Sequence, residues 1–323
     1  MTRSLLVLTL LFIAIAQPVT AQQLPIDRNM EKAVANGTRS VKGVPGNTYW
    51  QNKGDYDIDV NFDPVSCRLS GTARIDYVNN SPDTLKMILF KLYPNLYKGS
   101  SMRNTQIATA DLSSGVQINS LTLDDRAIDS TQWRINGTNM YLRGSSVLPR
   151  QRVRIQINFA YSLNKGSFNR TGRIADGAYF IAYFFPRIAV YDDVDGWNEY
   201  PYLGKEEFYN DYGNFKVRIT VPGTYQVWST GDLKNTAEVY EPAFAEKISQ
   251  AERQDDVIDV ITAEDLKRGR ITKSQPTNSW QFEAINVTDF AFAVSNNYVW
   301  KAASLIVDPQ TQRRTRVDAV YNP

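Results

Sequence analysis

Hydrophobic and polar positions alternate with a period of two along most of the chain. Tyr56, Ile58, Val60 and Phe62 interleave with Asp55, Asp57, Asp59 and Asn61. Val153, Ile155, Ile157 and Phe159 do the same against Arg152, Arg154, Gln156 and Asn158, and Phe215, Val217, Ile219 and Val221 repeat the pattern. Successive side chains of a strand point to opposite faces, so this period predicts strands with one buried and one wet face. Turn signals at Asn80-Ser81-Pro82-Asp83, Pro94-Asn95, Asn136-Gly137, Pro222-Gly223 and Asp308-Pro309 cut the runs into short pieces. About a dozen strands are expected between residues 54 and 321. The fold class is mostly β: one large antiparallel domain over 54–323, a β-sandwich or a saddle-like pair of sheets.

Two segments break the period. Residues 22–53 are polar and aperiodic and read as a lead-in. From 241 to 270 a helical insert is predicted: Pro242 suits a first helical turn, Thr262 with Asp265 resembles a capping box, and Gly269 suits a helix end. Lys267, Arg268 and Arg270 read as favourable charge at a helix C-terminus, and the insert as a surface excursion.

The first 21 residues change the picture of where this domain works. Arg3, an apolar run from Leu5 to Ala16 and the small-residue pair Val19 and Ala21 form a signal-peptide pattern, too short in its apolar part for a permanent membrane span. The lone cysteine, Cys67, lies far from that site, so no lipid anchor is expected; the chain reads as exported, secreted or periplasmic, with no membrane span. One cysteine allows no internal disulfide, which leaves stability to core burial. Thirty-six basic and 34 acidic residues give a net charge of +2, and no nucleic-acid or membrane-surface role follows from it.

The sequence contains no histidine. That removes the usual zinc sites, the Ser-His-Asp triad and imidazole acid–base catalysis, and leaves Cys67 without a partner to activate it. Carboxylate chemistry remains: paired acids for glycoside hydrolysis, or a cluster for calcium. The acids gather in and just after "YFFPRIAVYDDVDGWNEYPY" (183–202), as Asp192, Asp193, Asp195 and Glu199, followed by Glu206 and Glu207. Asp192 to Gly196 has the flavour of a calcium loop but lacks the ligand spacing of an EF-hand, and solvated loop acids are the plainer reading. Phe180, Phe184, Phe185 and Tyr191 read either as core and strand-edge residues or as a sugar-stacking platform.

Three long runs carry a resemblance. "YWQNKGDYDIDVNFDPVSCRLSGTARIDYVNNSPDTLKMILFKLYPN" (49–95), "FPRIAVYDDVDGWNEYPYLGKEEFYNDYGNFKVRITVPGTYQVWSTGDLKN" (185–235) and "NVTDFAFAVSNNYVWKAASLIVDP" (286–309) resemble aminopeptidase N-like zinc metallopeptidases of family M1, in members secreted by Bacteroidetes-type bacteria. The resemblance implies the saddle-shaped N-terminal β domain of that family. In the family a catalytic domain follows it, with a Gly-x-Met-Glu motif and an H-E-x-x-H zinc site. Neither motif occurs here, so the resemblance implies a truncated, inert module: no catalytic and no metal residue in this chain, and zinc only in the missing catalytic domain. The implied partners are a metallopeptidase domain, in cis or in trans, and a peptide substrate. The implied substrate-facing residues are Tyr183, Phe184, Tyr191, Asp192 and Asp193, with Tyr183 where relatives often carry a glutamine that meets the substrate amine. Two other readings stay open: a free-standing secreted β-sandwich module binding peptide or carbohydrate, and a glycosidase using the acids between Asp192 and Glu207.

Overall fold

The computed structural model describes residues 25–323, so the signal-peptide pattern lies outside the described residues. The chain divides into two compact units, with the boundary between Tyr49 and Trp50. In the first, the lead-in is less featureless than its composition suggests: Arg28–Ala35 is a helix, capped where the Asn29 N–H donates to Asp27 Oδ1 at 2.8 Å.

The second unit is mostly β, with 21 strands in five sheets among the described residues. The largest sheet has eight strands, ordered Asp232–Leu233, Thr277–Val287, Gly213–Pro222, Lys53–Asp63, Arg68–Val78, Arg152–Ser162, Gln117–Leu123 and Arg126–Ala127. All three period-two runs of the sequence stand together at its centre. Ile58, Val60, Ile157 and Ile219 are almost fully buried and join one core with Ile88, Leu142 and Phe292 from smaller sheets. Burying a side chain of that size contributes about 1.5–3 kcal/mol before its ordering entropy is subtracted. The opposite face stays wet: Arg74 bridges Asp57 and Asp59, and Arg218 reaches Asp59 at 2.7 Å.

One pairing departs from an all-antiparallel sheet. Lys53–Asp63 and Gly213–Pro222 run parallel, Tyr56 beside Phe215 with their rings stacked at 4.9 Å. A parallel pair needs a long crossover, which the intervening chain supplies.

The insert also departs from the expected surface excursion. Pro242–Ala251 starts on its proline, and Thr262 with Asp265 closes a reciprocal capping box at the start of Ala263–Arg268, which ends on Gly269 at φ +67°. Between the two helices lies a strand, Ile258–Ile261, paired with Val299–Asp308. Phe244, Ile248 and Ala251 line one face of the first helix and enter the main core, which Val260 of the strand joins. Among the described residues no helix is long and apolar enough to cross a membrane.

Candidate functional site

The segment from Tyr183 to Tyr212 contains little regular structure, yet buried side chains hold it tightly. Arg187 is the first anchor. It is 3% exposed, and its guanidinium donates to Asp289 Oδ1 at 3.3 Å and to the Asp211 carbonyl at 2.9 Å. The same cation lies against the rings of Tyr56, Phe215 and Phe185, at 5.6, 5.7 and 6.0 Å from their centroids. Burial pushes the Asp211 carboxyl up to about 6, with Arg187 pulling it back down. Asp289 is raised by the same cause and opposed by the same cation.

Lys91 is the second anchor, and sequence reading passed over it. The residue is 2% exposed, and its ammonium donates to Asn139 Oδ1 at 3.0 Å and the Tyr200 carbonyl at 2.7 Å. Burial pushes it down to about 8, with Glu199 acting in the opposite direction. Asn139 donates in turn to the Glu199 carbonyl at 2.6 Å, and Thr138 Oγ1 accepts from the Tyr202 N–H at 2.7 Å. The backbone of 199–202 is therefore fixed from beneath. The available signal was a lysine closing the apolar run "MILF" and then buried with it.

The sequence-predicted site residues separate into two groups. Tyr183 is 2% exposed and Phe184 fully buried, so in this chain neither side chain lies open to a substrate. Tyr183 sits at φ +42°, a costly conformation for a bulky residue, where its ring packs against Phe208, Tyr93 and Tyr202. Its hydroxyl donates to the Asn169 carbonyl, and burial raises its pKa far above the ordinary tyrosine value. Phe184 points the other way into the main core, against Phe292 and Phe185. Successive residues at a strand end face opposite sides, and both sides here are covered.

Tyr191, Asp192 and Asp193 are only half-buried and sit together at a small hairpin. Tyr191 stacks on Trp50 and donates to Asp83 Oδ2 at 2.8 Å. Asp192 Oδ1 accepts the N–H groups of Val194 and Asp195 at 3.0 and 2.7 Å, and Oδ2 accepts the Tyr209 hydroxyl at 3.1 Å. Gly196, at φ +72°, completes the turn. The calcium-loop flavour thus has a local cause: the first aspartate closes its own turn. Among the described residues no group of three or more acids or cysteines is placed to hold a metal.

Glu206 behaves similarly. It accepts from the N–H groups of Leu203 and Lys205 and from Asn104, and backbone N–H bonds, its own first, hold it below the usual carboxylate range. Glu207 pairs with Arg170 at 3.1 Å. Three tyrosines reach solvent beside exposed acids such as Glu199 and Glu207: Tyr200 is 75% exposed, Tyr212 53% and Tyr209 49%. The site is a rigidly backed face of tyrosines and carboxylates, suited to binding.

No protein-family model matches the sequence, and no curated protein matches it. Solved structures do. An M1 zinc metallopeptidase from Deinococcus radiodurans superposes with a TM-score of 0.48 and 10% identity, over 86% of this chain and 49% of that chain. A mutant of the same enzyme bound to a Tyr-Ser-Ala substrate gives 0.48 and 12%, over 86% and 50%. Aminopeptidase A from Legionella pneumophila with aspartic acid gives 0.42 and 13%, over 85% and 26%. The chain spans about half the length of the Deinococcus structures it matches.

Proposed function

We propose that this chain is the non-catalytic, cleft-covering β domain of a secreted M1-type zinc metallopeptidase, Bacteroidetes-type in sequence, and that a separate catalytic domain, in cis or in trans, supplies the metal. The observation that carries this reading is the 191–212 face, with three exposed tyrosines and a set of acids on a backbone fixed by Arg187, Lys91 and Asn139. Exposed tyrosines on a rigid support favour association, because they add contact area at small entropic cost. The residues present do not fit zinc: the chain has no histidine and one cysteine, and a zinc site draws three or four donors from histidine, cysteine and carboxylates. No hydrolytic step is therefore routed through this chain. Its own contribution is a wall and a field: the ionised Glu206 and its acidic neighbours favour the α-ammonium of a peptide.

Hydrogen exchange of the chain, with and without the zinc-loaded catalytic half of a two-domain M1 enzyme, tests this. Slowed exchange across 191–212 is expected, and unchanged exchange there overturns the reading. Robust zinc-dependent aminopeptidase activity from the chain alone would overturn it equally. N-terminal sequencing of the exported protein, with cleavage expected after Ala21, tests secretion.

A second reading, a free-standing module binding peptide or carbohydrate, is favoured by a trough of about 450 Å³ on the wet face of the eight-stranded sheet. Asp76, Arg154, Gln156 and Asn214 line it. Saturable binding of an oligosaccharide or peptide without any catalytic domain, lost on Gln156→Ala, would support that reading instead.

A further inference from the structure

Arg313–Tyr321 is the outer strand of a three-stranded sheet with Ile258–Ile261 and Val299–Asp308. One edge pairs along its whole length with Val299–Asp308, and the other meets no strand among the described residues. Open edges invite pairing, and proteins usually blunt them with charged side chains, proline, a bulge or short length. This strand has nine residues, no proline and unbroken register from Tyr321 to Arg314. Its charges, Arg313, Arg314, Arg316 and Asp318, are of both signs, so they repel a second copy in some registers and attract it in another. Its outer face leaves apolar side chains uncovered among a few polar ones: Val317 is 56% exposed, beside Leu305 at 50% and Tyr321 at 44%.

We infer that this edge pairs antiparallel with the same strand of a second copy of the chain, about a two-fold axis through Val317, to make one six-stranded sheet. Residues directly opposite in an antiparallel pair share a face, so the axis must pass through a residue, and each choice sets a different charge pattern. Centred on Arg316 the strands oppose two arginines, and centred on Asp318 two aspartates. Centred on Thr315, Arg314 meets Arg316 twice. Centred on Val317, Arg316 meets Asp318 of the partner subunit and Asp318 meets Arg316 of the partner subunit. This is the one axis that pairs opposite charges with no like pair along the strand, those through Ala319, Val320 or Tyr321 pairing no charges at all.

The side chains are already set for that register. Arg316 and Asp318 share the Trp300 face, since Trp300 Nε1 donates to Asp318 Oδ1 at 2.9 Å and the Arg316 guanidinium lies 5.7 Å from the Trp300 ring. Arg316 is also tied to Glu252 at 2.8 Å and to Asp318 of its own strand at 3.0 Å, so both charges are ordered before any partner arrives and a cross-subunit contact extends this network rather than starting it. On the other face Val317 stands opposite Ala303 of its own sheet, so pairing places an apolar Ala303–Val317 row against its symmetry mate. The contact is small, so association is weak and concentration-dependent.

Sedimentation of the purified chain over a range of concentrations tests this, alongside Val317→Lys and Val317→Glu. Val317 is exposed, so both variants fold, with unchanged melting as the control. The wild type dimerises; each variant alone, with like charges facing across the axis, loses at least about tenfold in dimer affinity. An equimolar mixture of the two variants recovers it by opposite-charge pairing. A wild type that stays monomeric throughout overturns the inference, and so does a dimer indifferent to both substitutions, which would place the contact elsewhere.

Discussion

Replacing Arg187 by methionine keeps bulk beneath the 183–212 segment and removes its charge. The guanidinium donates to Asp289 and to the Asp211 carbonyl, and it faces three aromatic rings. Removing one member of a buried ion pair costs about 3–5 kcal/mol, because the remaining carboxylate is left in a poor solvent. Against a total stability of about 5–15 kcal/mol this is a large fraction. The sign of its pH dependence separates charge from packing. Asp211 titrates near 6 in the folded protein against an ordinary 3.8, and Asp289 is also raised. For such groups the stability they contribute is fully present below the unfolded pKa and is lost as pH rises through the folded one. Arg187 opposes both shifts, so without it both acids move higher and the penalty at neutral pH grows. Urea unfolding at pH 7 and pH 4.5 should show a deficit of about 3–5 kcal/mol at pH 7 that shrinks clearly at the lower pH. A deficit under about 1 kcal/mol at pH 7, or one equal at both pH values, would refute the charge argument.

Other substitutions probe the same segment. Lys91→Met leaves Asn139 Oδ1 and the Tyr200 carbonyl without their donor and should cost about 1–3 kcal/mol at pH 7. Because Lys91 is held near 8 against an ordinary 10.5, the wild type should gain stability as pH rises from 8 toward 10, and thermal melts of the variant should lack that rise. Tyr183→Gln, which installs the residue implied by family resemblance, should destabilise by about 2–4 kcal/mol in urea titrations, since it empties a closed aromatic cluster. Tyr200→Ser should leave stability within about 0.5 kcal/mol, the side chain being mostly in water, while weakening association with a catalytic domain in a titration calorimeter.

Particular residues show where local reading reached and where it stopped. The capping box of Thr262 and Asp265, the helix start at Pro242 and the stop at Gly269 were all legible, because each is a contact among neighbours in the chain. So was the wet and dry face of Lys53–Asp63, since the period of two needs no partner to be visible. The absence of histidine was visible as soon as the letters were counted.

The assignment of the 183–202 run was different. Its aromatics and acids carried two meanings, and only non-local packing chose between them. Tyr183 and Phe184 went inside because residues 93, 208 and 292, distant in sequence, cover them. Asp192 and Glu206 became turn-holders, while Tyr200, Tyr209 and Tyr212 were left as the exposed face. The two charges that hold this surface up, Lys91 and Arg187, are one cross-strand pair, joined where Leu85–Lys91 meets Arg187–Ile188. By itself the sequence determined strands, their faces, their caps and the lack of imidazole chemistry, since those depend on residue type and short spacing. Which strands became neighbours, and which polar groups were buried with a partner, the tertiary structure alone decided, because hydrogen bonds and charges act through space between residues that the chain keeps far apart.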